Sequence, residues 1–147
     1  MALTVATFRR ATTADIPAMS RIRLAVNENR LRDPARITRQ MYEDFLERDG
    51  RGWVAQIDGD IVAFSYANSL DGSIWALFVE PAHEGKGLAK ALLRLATTWL
   101  FETGFAEITL ETGAGTRADA FYAHQGWTGV AADGADIRYT LAKKTPP

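Results

Sequence analysis

Gly85 and Gly87, within Glu84-Gly85-Lys86-Gly87-Leu88-Ala89, have the spacing for phosphate chemistry. They join an apolar run, Ile74 to Val79, to an amphipathic run, Leu88 to Phe101. A glycine-rich turn at that junction exposes backbone N–H groups where a helix begins. Those donors and the helix dipole favour an anion. Two common owners of such a turn do not fit. A P-loop requires Gly-Lys followed by Ser or Thr, and here Leu88 follows Gly87. A dinucleotide fingerprint requires a small residue where Lys90 stands.

The surrounding pattern supplies the elements that hold this turn. Val5 to Arg9 reads as a strand. Thr12-Thr13-Ala14-Asp15 reads as a capping box with Asp in place of Glu, opening a helix marked by Ile16, Met19, Ile22 and Val26. Pro17 falls in its first turn, where the missing N–H costs nothing. Asp33-Pro34 breaks the chain. Thr38 caps a second helix with Met41, Phe45 and Leu46 on its apolar face and Gly50 as its stop.

Strands at Trp53 to Ile57 and Ile61 to Tyr66 flank Asp58-Gly59-Asp60, a hairpin signal. Asp71-Gly72 turns the chain into Ile74 to Val79, whose unbroken apolar character predicts a central strand buried on both faces. The helix after the glycines carries Leu88, Leu92, Leu95 and Trp99 on one face, and Lys86, Lys90 and Arg94 on another. Gly104 closes it. Ile108 to Glu111 is the next strand. Thr116 to Asp119 caps a short helix through Phe121-Tyr122 to Gln125, stopped by Gly126. Trp127 to Val130 and Ile137 to Leu141 form a final hairpin around Asp133-Gly134, and the tail from Lys143 to Pro147 is expected to fray. The order β-α-α-β-β-β-α-β-α-β-β predicts one domain, residues 1–147, with helices packed on a mixed α/β sheet that is largely antiparallel in its first half.

Composition narrows the function. The 147 residues are 47% hydrophobic and 24% charged, with a net charge of −1. There is no basic excess for nucleic acid. There are no cysteines, so a cysteine nucleophile, a disulfide and a thiolate metal site are excluded. No metal centre is expected, and any thiol in the chemistry must arrive with a ligand. The first residues lack the pattern of a secretory leader, and no apolar run approaches the roughly 20 residues of a spanning helix. A cytoplasmic protein without a membrane segment is expected.

Val79-Glu80-Pro81 followed by Gly85-Lys86-Gly87-Leu88-Ala89-Lys90-Ala91-Leu92-Leu93 resembles the acetyl-coenzyme A signature of the GNAT superfamily of N-acyltransferases. Phe121-Tyr122-Ala123-His124-Gln125-Gly126-Trp127 resembles its second hallmark. The resemblance covers nearly the whole chain. It implies a GNAT-like fold: a twisted, mostly antiparallel sheet of six to seven strands with about four helices, splayed between strands four and five. It implies acetyl-CoA as cofactor. The diphosphate would lie on the N–H groups of Glu84, Gly85, Lys86, Gly87, Leu88 and Ala89. The pantetheine arm would pair with Leu77, Phe78 and Val79 like an added strand. A bulge in that strand would open the slot, and the thioester would lie near Tyr122. Two departures stand out. Glu84 replaces the usual Arg or Gln, setting a carboxylate beside a diphosphate. Gly113 to Thr116 offers no Asn where many members have one.

The reaction implied is direct acyl transfer from the thioester to a neutral amine. An N–H near Val79 would polarise the carbonyl. Tyr122, a phenol protonated at neutral pH, would donate to the departing thiolate. Glu28, Glu80, Glu111 and His124 are alternative bases, and a water would serve equally. Acceptor recognition falls to Asn27 to Leu31, with Glu28 and Asn29 among them, to Trp75 and to the Gly113 to Thr116 loop. Glu28 would attract a cationic amine, while Arg30 and Arg32 would hold a carboxylate, so the acceptor class stays open. A non-catalytic acyl-CoA sensor on the same fold is the alternative, motivated by Glu84 and the absent Asn. A homodimer through exposed sheet edges or through residues 127–141 is a further expectation.

Overall fold

The computed structural model describes residues 5–25, 39–132 and 134–143. Val26, Glu28, Asn29, Arg30, Arg32, Thr38 and Asp133 therefore lie outside the described residues, as do residues 144–147. The strands are β1 (Thr7–Arg10), β2 (Gly50–Ile57), β3 (Asp60–Asn68), β4 (Ser73–Val79), β5 (Glu107–Gly113), β6 (Thr128–Ala131) and β7 (Asp136–Ala142). The helices are α1 (Ile16–Ala25), α2 (Arg39–Glu47), α3 (Leu88–Glu102) and α4 (Arg117–His124). The seven strands form one sheet in the order β1-β2-β3-β4-β5-β7-β6. Every neighbouring pair is antiparallel except β4 and β5.

That exception shapes the molecule. The parallel β4–β5 ladder holds a single register pair, Ser73 with Thr109. Beyond it the strands diverge, giving the expected splay. A bulge accompanies it: Ala67 faces Ile74 and Tyr66 faces Ala76, so Trp75 is the extra residue on β4. The opening corrects one expectation. Ile74 and Ala76 are buried, but Leu77, Phe78 and Val79 are only half-buried, because no strand covers their β5 side.

Local sequence explains the frame. Asp58 and Gly59, at φ 52° and 84°, form the β2–β3 turn. Asp15 accepts from the Thr12 N–H at 2.8 Å and receives both arms of Arg9 at 2.8 Å, which fixes the start of α1. Gly50 opens β2 instead of stopping α2. The N–H groups of Arg48 and Asp49 both donate to the Asp44 carbonyl and close that helix first.

Two cores lie on opposite faces of the sheet. Ile16, Met19, Ile22, Tyr42 and Leu46 of α1 and α2 pack on Val54, Phe64 and Tyr66. On the other face, α3 buries Leu88, Leu92, Leu93, Ala96 and Leu100. Leu95 and Trp99, expected on that stripe, are half-buried flanks. The contact follows the i, i+4 row 88-92-96-100. Ser65 Oγ donates to the Leu92 carbonyl at 3.1 Å and locks α3 to β3. No helix among the described residues is long and apolar enough to cross a membrane.

Candidate active site

The chain leaves β4 through Glu80, makes a short turn at Pro81–His83 and enters α3 at Gly87. Gly85 and Gly87 have φ of 79° and 78°. A Cβ at either position would meet nothing within 4 Å. The left-handed backbone, not crowding by neighbours, asks for glycine here, and the space above the turn is open. Gly87 is the helix N-cap and offers no side chain to cap the first N–H groups. The start of this 15-residue helix thus presents unsatisfied donors to open space, a fit for the diphosphate of coenzyme A.

That space is a cleft of about 890 Å³ between β4, the glycine turn and α4. Leu77, Phe78 and Val79 form one wall, and Arg117, Phe121 and Tyr122 the other. The Glu80 N–H donates to the Val62 carbonyl of β3 at 2.8 Å. Backbone amides alternate along a strand, so Leu77 and Val79 turn theirs toward the divergent edge. The β4 edge is open for an added strand, as a pantetheine arm requires.

A second cleft of about 250 Å³ lies across the splay, lined by Arg23, Trp75, Thr112 and Glu111 among others. The two clefts share Leu77, Phe78 and Tyr122. Tyr122 is 6% exposed, and burial pushes its phenol pKa up, so it stays protonated at neutral pH. Its ring packs on Phe121, Trp127 and Tyr139. The Tyr139 hydroxyl binds Asp119 of α4, donating to its backbone carbonyl at 2.9 Å and to its carboxylate. Thr116 caps α4 by accepting from the Asp119 N–H at 3.2 Å. These contacts fix the helix that carries Tyr122.

The chain matches the model of the acetyltransferase (GNAT) family over residues 16–127. This chain belongs to the GNAT acetyltransferase family. It is 30% identical over 135 residues to the uncharacterized N-acetyltransferase YjgM of Escherichia coli K12, covering 81% of this chain and 80% of the relative. The PaiA N-acetyltransferase of Thermoplasma acidophilum, solved with coenzyme A, superposes with a TM-score of 0.81 at 14% identity, over 95% of this chain and 99% of that one. YncA of Salmonella typhimurium, solved with its cofactor acetyl-CoA, gives 0.73 at 20% identity over 93% of each chain. Both of these solved structures hold coenzyme A or its acetyl thioester.

Within this GNAT acetyltransferase, the glycine turn, the β4 edge and Tyr122 come together at one cleft. Gly85, Gly87, Leu88 and Ala89 line it, whereas the Lys86 ammonium lies 3.1 Å from His83 Nδ1. Glu84 also lines it, with its carboxylate paired to Arg117. Glu111 borders the smaller cleft, where its carboxylate accepts from Arg138 at 2.9 Å. Trp75 borders it too, and His124 borders the larger one. Glu80 lines neither; it faces a separate groove with Arg21, Asp60 and His83. The Gly113 to Thr116 loop satisfies its own groups: Thr116 Oγ1 donates to the Gly113 carbonyl at 2.7 Å, and the Gly115 N–H donates to Asp119 at 2.8 Å.

Three site residues carry no clear mark in the sequence: Arg117, Thr112 and Arg23. Arg23 is 5% exposed, and its guanidinium lies 4.6 Å from the Trp75 ring centre, 5.0 Å from Phe78 and 5.7 Å from Tyr42. Burial pulls its pKa down, with Tyr42 and Tyr66 opposing. Its spacing holds the one available signal, since Arg23 sits four residues after Met19 on the apolar face of α1.

Proposed function

We propose that this enzyme moves the acetyl group of acetyl-CoA to a primary amine of a small molecule or peptide by direct attack. The meeting of two clefts at Tyr122 carries this reading. One has the uncapped start of α3 and the open β4 edge; the other leads to the same phenol from the opposite side. Bound acetyl-CoA supplies an activated thioester. The N–H groups from Gly85 to Ala89 hold its diphosphate, the Glu84 N–H being taken by the Pro81 carbonyl at 3.4 Å, and Leu77 to Val79 align the arm. The outward amide of Val79 polarises the carbonyl. Tyr122, kept protonated by burial, gives its proton to the departing sulfur. The amine enters through the smaller cleft, where Glu111 is the carboxylate among the described lining residues. Glu111 or a water takes the amine's proton.

The pairing of Glu84 with Arg117 answers one of the two observations that motivated a non-catalytic sensor, because that carboxylate is neutralised locally; the absent Asn still motivates it. The deciding measurement is thiol release from acetyl-CoA against a panel of amines and peptides. Turnover that requires an amine supports the reading. Coenzyme binding without turnover across the panel overturns it in favour of the sensor.

The cytoplasm, where acetyl-CoA is made and used, is the proposed setting. A homodimer would use the exposed end strand β6; sedimentation at micromolar concentration tests that pairing.

A further inference from the structure

A buried cation needs a partner. Taking a guanidinium out of water is costly unless an anion or good acceptors compensate. Arg23 is 5% exposed, yet its Nε is buried with no hydrogen-bond partner, and no carboxylate pairs with it among the described residues. Its aromatic surround of Trp75, Phe78 and Tyr42 stabilises the charge by ring faces but accepts no N–H bond of ordinary strength. Thr112 Oγ1, in the same small cleft, is likewise buried without a partner. Two unsatisfied polar groups therefore line the cleft that reaches Tyr122 from the acceptor side.

We propose that Arg23 binds a carboxylate on the acceptor itself, making the substrate a small amino-carboxylate. The guanidinium is planar and presents a fork of donors that matches a carboxylate bidentately. Thr112 supplies a further hydroxyl to the same polar end. Phe78 lies 5.0 Å from the guanidinium carbon and also walls the donor cleft. The carboxylate is thus held one aromatic ring from the donor side, with the amine left to project toward Tyr122. The volume of about 250 Å³ suits a molecule of amino-acid size. The inference rests on the acetyl-transfer reading above and narrows its acceptor.

The test uses the full chain with acetyl-CoA and a panel of L-amino acids, each beside its carboxamide and its decarboxylated amine. Wild type should prefer at least one carboxylate over its carboxamide by about tenfold or more in kcat/KM, as expected for a charge-assisted pair. In Arg23→Met the ratio should fall to about one, with coenzyme affinity unchanged. Met matches the stem volume and removes the unpaired charge, so thermal stability should hold or rise. Arg23→Lys should restore the preference only in part, since an ammonium lacks the fork. A preference for uncharged amines, or a carboxylate preference that survives Arg23→Met, overturns the inference and leaves acetyl transfer standing. Failure to turn over any amine overturns acetyl transfer instead. Calorimetry of the same amino acids with the coenzyme-A-loaded protein then decides Arg23 alone: binding that Arg23→Met abolishes supports it, and binding that is absent or unaltered overturns it.

Discussion

Arg117 Nη1 donates to Glu84 Oε2, tying the first residue of α4 to the glycine turn across 33 positions of sequence. The two residues face each other over the larger cleft. Arg117 is 66% exposed at its side chain, and exposed ion pairs add little to folding. The consequence is local: the negative charge beside the proposed diphosphate position is countered by the opposite wall.

Arg117→Ala should therefore weaken coenzyme A binding about fivefold, a loss of the size of one partly screened charge pair. The melting temperature should barely change. In a Glu84→Gln background the same replacement should change affinity less than about twofold, because no carboxylate remains to be neutralised. Calorimetry on the four proteins reads the cycle. A fivefold loss that persists in the Glu84→Gln background would mean that Arg117 grips the phosphate directly.

Tyr122→Phe should lower kcat by about two orders of magnitude, within the range for a positioned general acid, with coenzyme affinity unchanged. Burial raises the phenol pKa, so the proton-bearing form persists to higher pH than in a free tyrosine. Between about pH 6 and about pH 10 the wild-type kcat should show no alkaline fall. A clear decline near about pH 8, well below the phenol range, would assign that titration to another group or displace Tyr122 from the role.

Gly87→Glu should abolish coenzyme binding while the fold survives. A Cβ there meets nothing within 4 Å, and the strain of φ 78° in a non-glycine residue is about 1–2 kcal/mol. Gly87→Ala carries the same strain without the charge and should retain part of the affinity. Circular dichroism and calorimetry separate the two effects. Equal affinity for Gly87→Glu and wild type would remove the diphosphate from this turn.

Much of this arrangement is written locally in the chain, and local physics is what a single sequence displays. Asp58-Gly59, Thr116 with Asp119, and the Gly85-Lys86-Gly87 turn each act within a few residues, and each element forms where its pattern places it. Trp75 carries no such mark: an apolar run reads the same whether its neighbour strand stays or diverges. The buried stripe of α3 lies part of a turn away from the expected one, because Leu95 and Trp99 are as apolar as the residues that pack. Glu84 and Arg117 meet only through tertiary structure, so each looks like a solvated surface charge in the sequence.

Asp15 is legible in part. Its capping role is local, but its charge is held by Arg9 of β1. The carboxylate is lowered in pKa chiefly by that hydrogen bond, against the opposing cost of burial. A depressed native pKa stabilises the fold above the unfolded value of about 4 and loses that contribution as pH falls through the native value. Asp15→Asn should cost about 1–3 kcal/mol at neutral pH, read as a lower urea midpoint. The gap from wild type should narrow toward about pH 2, below the unfolded carboxylate range. A constant gap across that window would show that shape, not charge, holds the α1 start.

The extra residue on β4 has a consequence of parity. Ile74, Leu77 and Val79 pack with the α3 core, while Trp75, Ala76 and Phe78 pack with the core of α1 and α2. Two successive residues, Trp75 and Ala76, therefore share a side, and everything downstream is in the opposite phase from what strict alternation would give. Pair the same residues with β3 without the bulge and the hairpin end keeps its partners, but Phe78 and Val79 exchange faces. One residue of register, with no change of side-chain chemistry, sets which way this half of the strand faces.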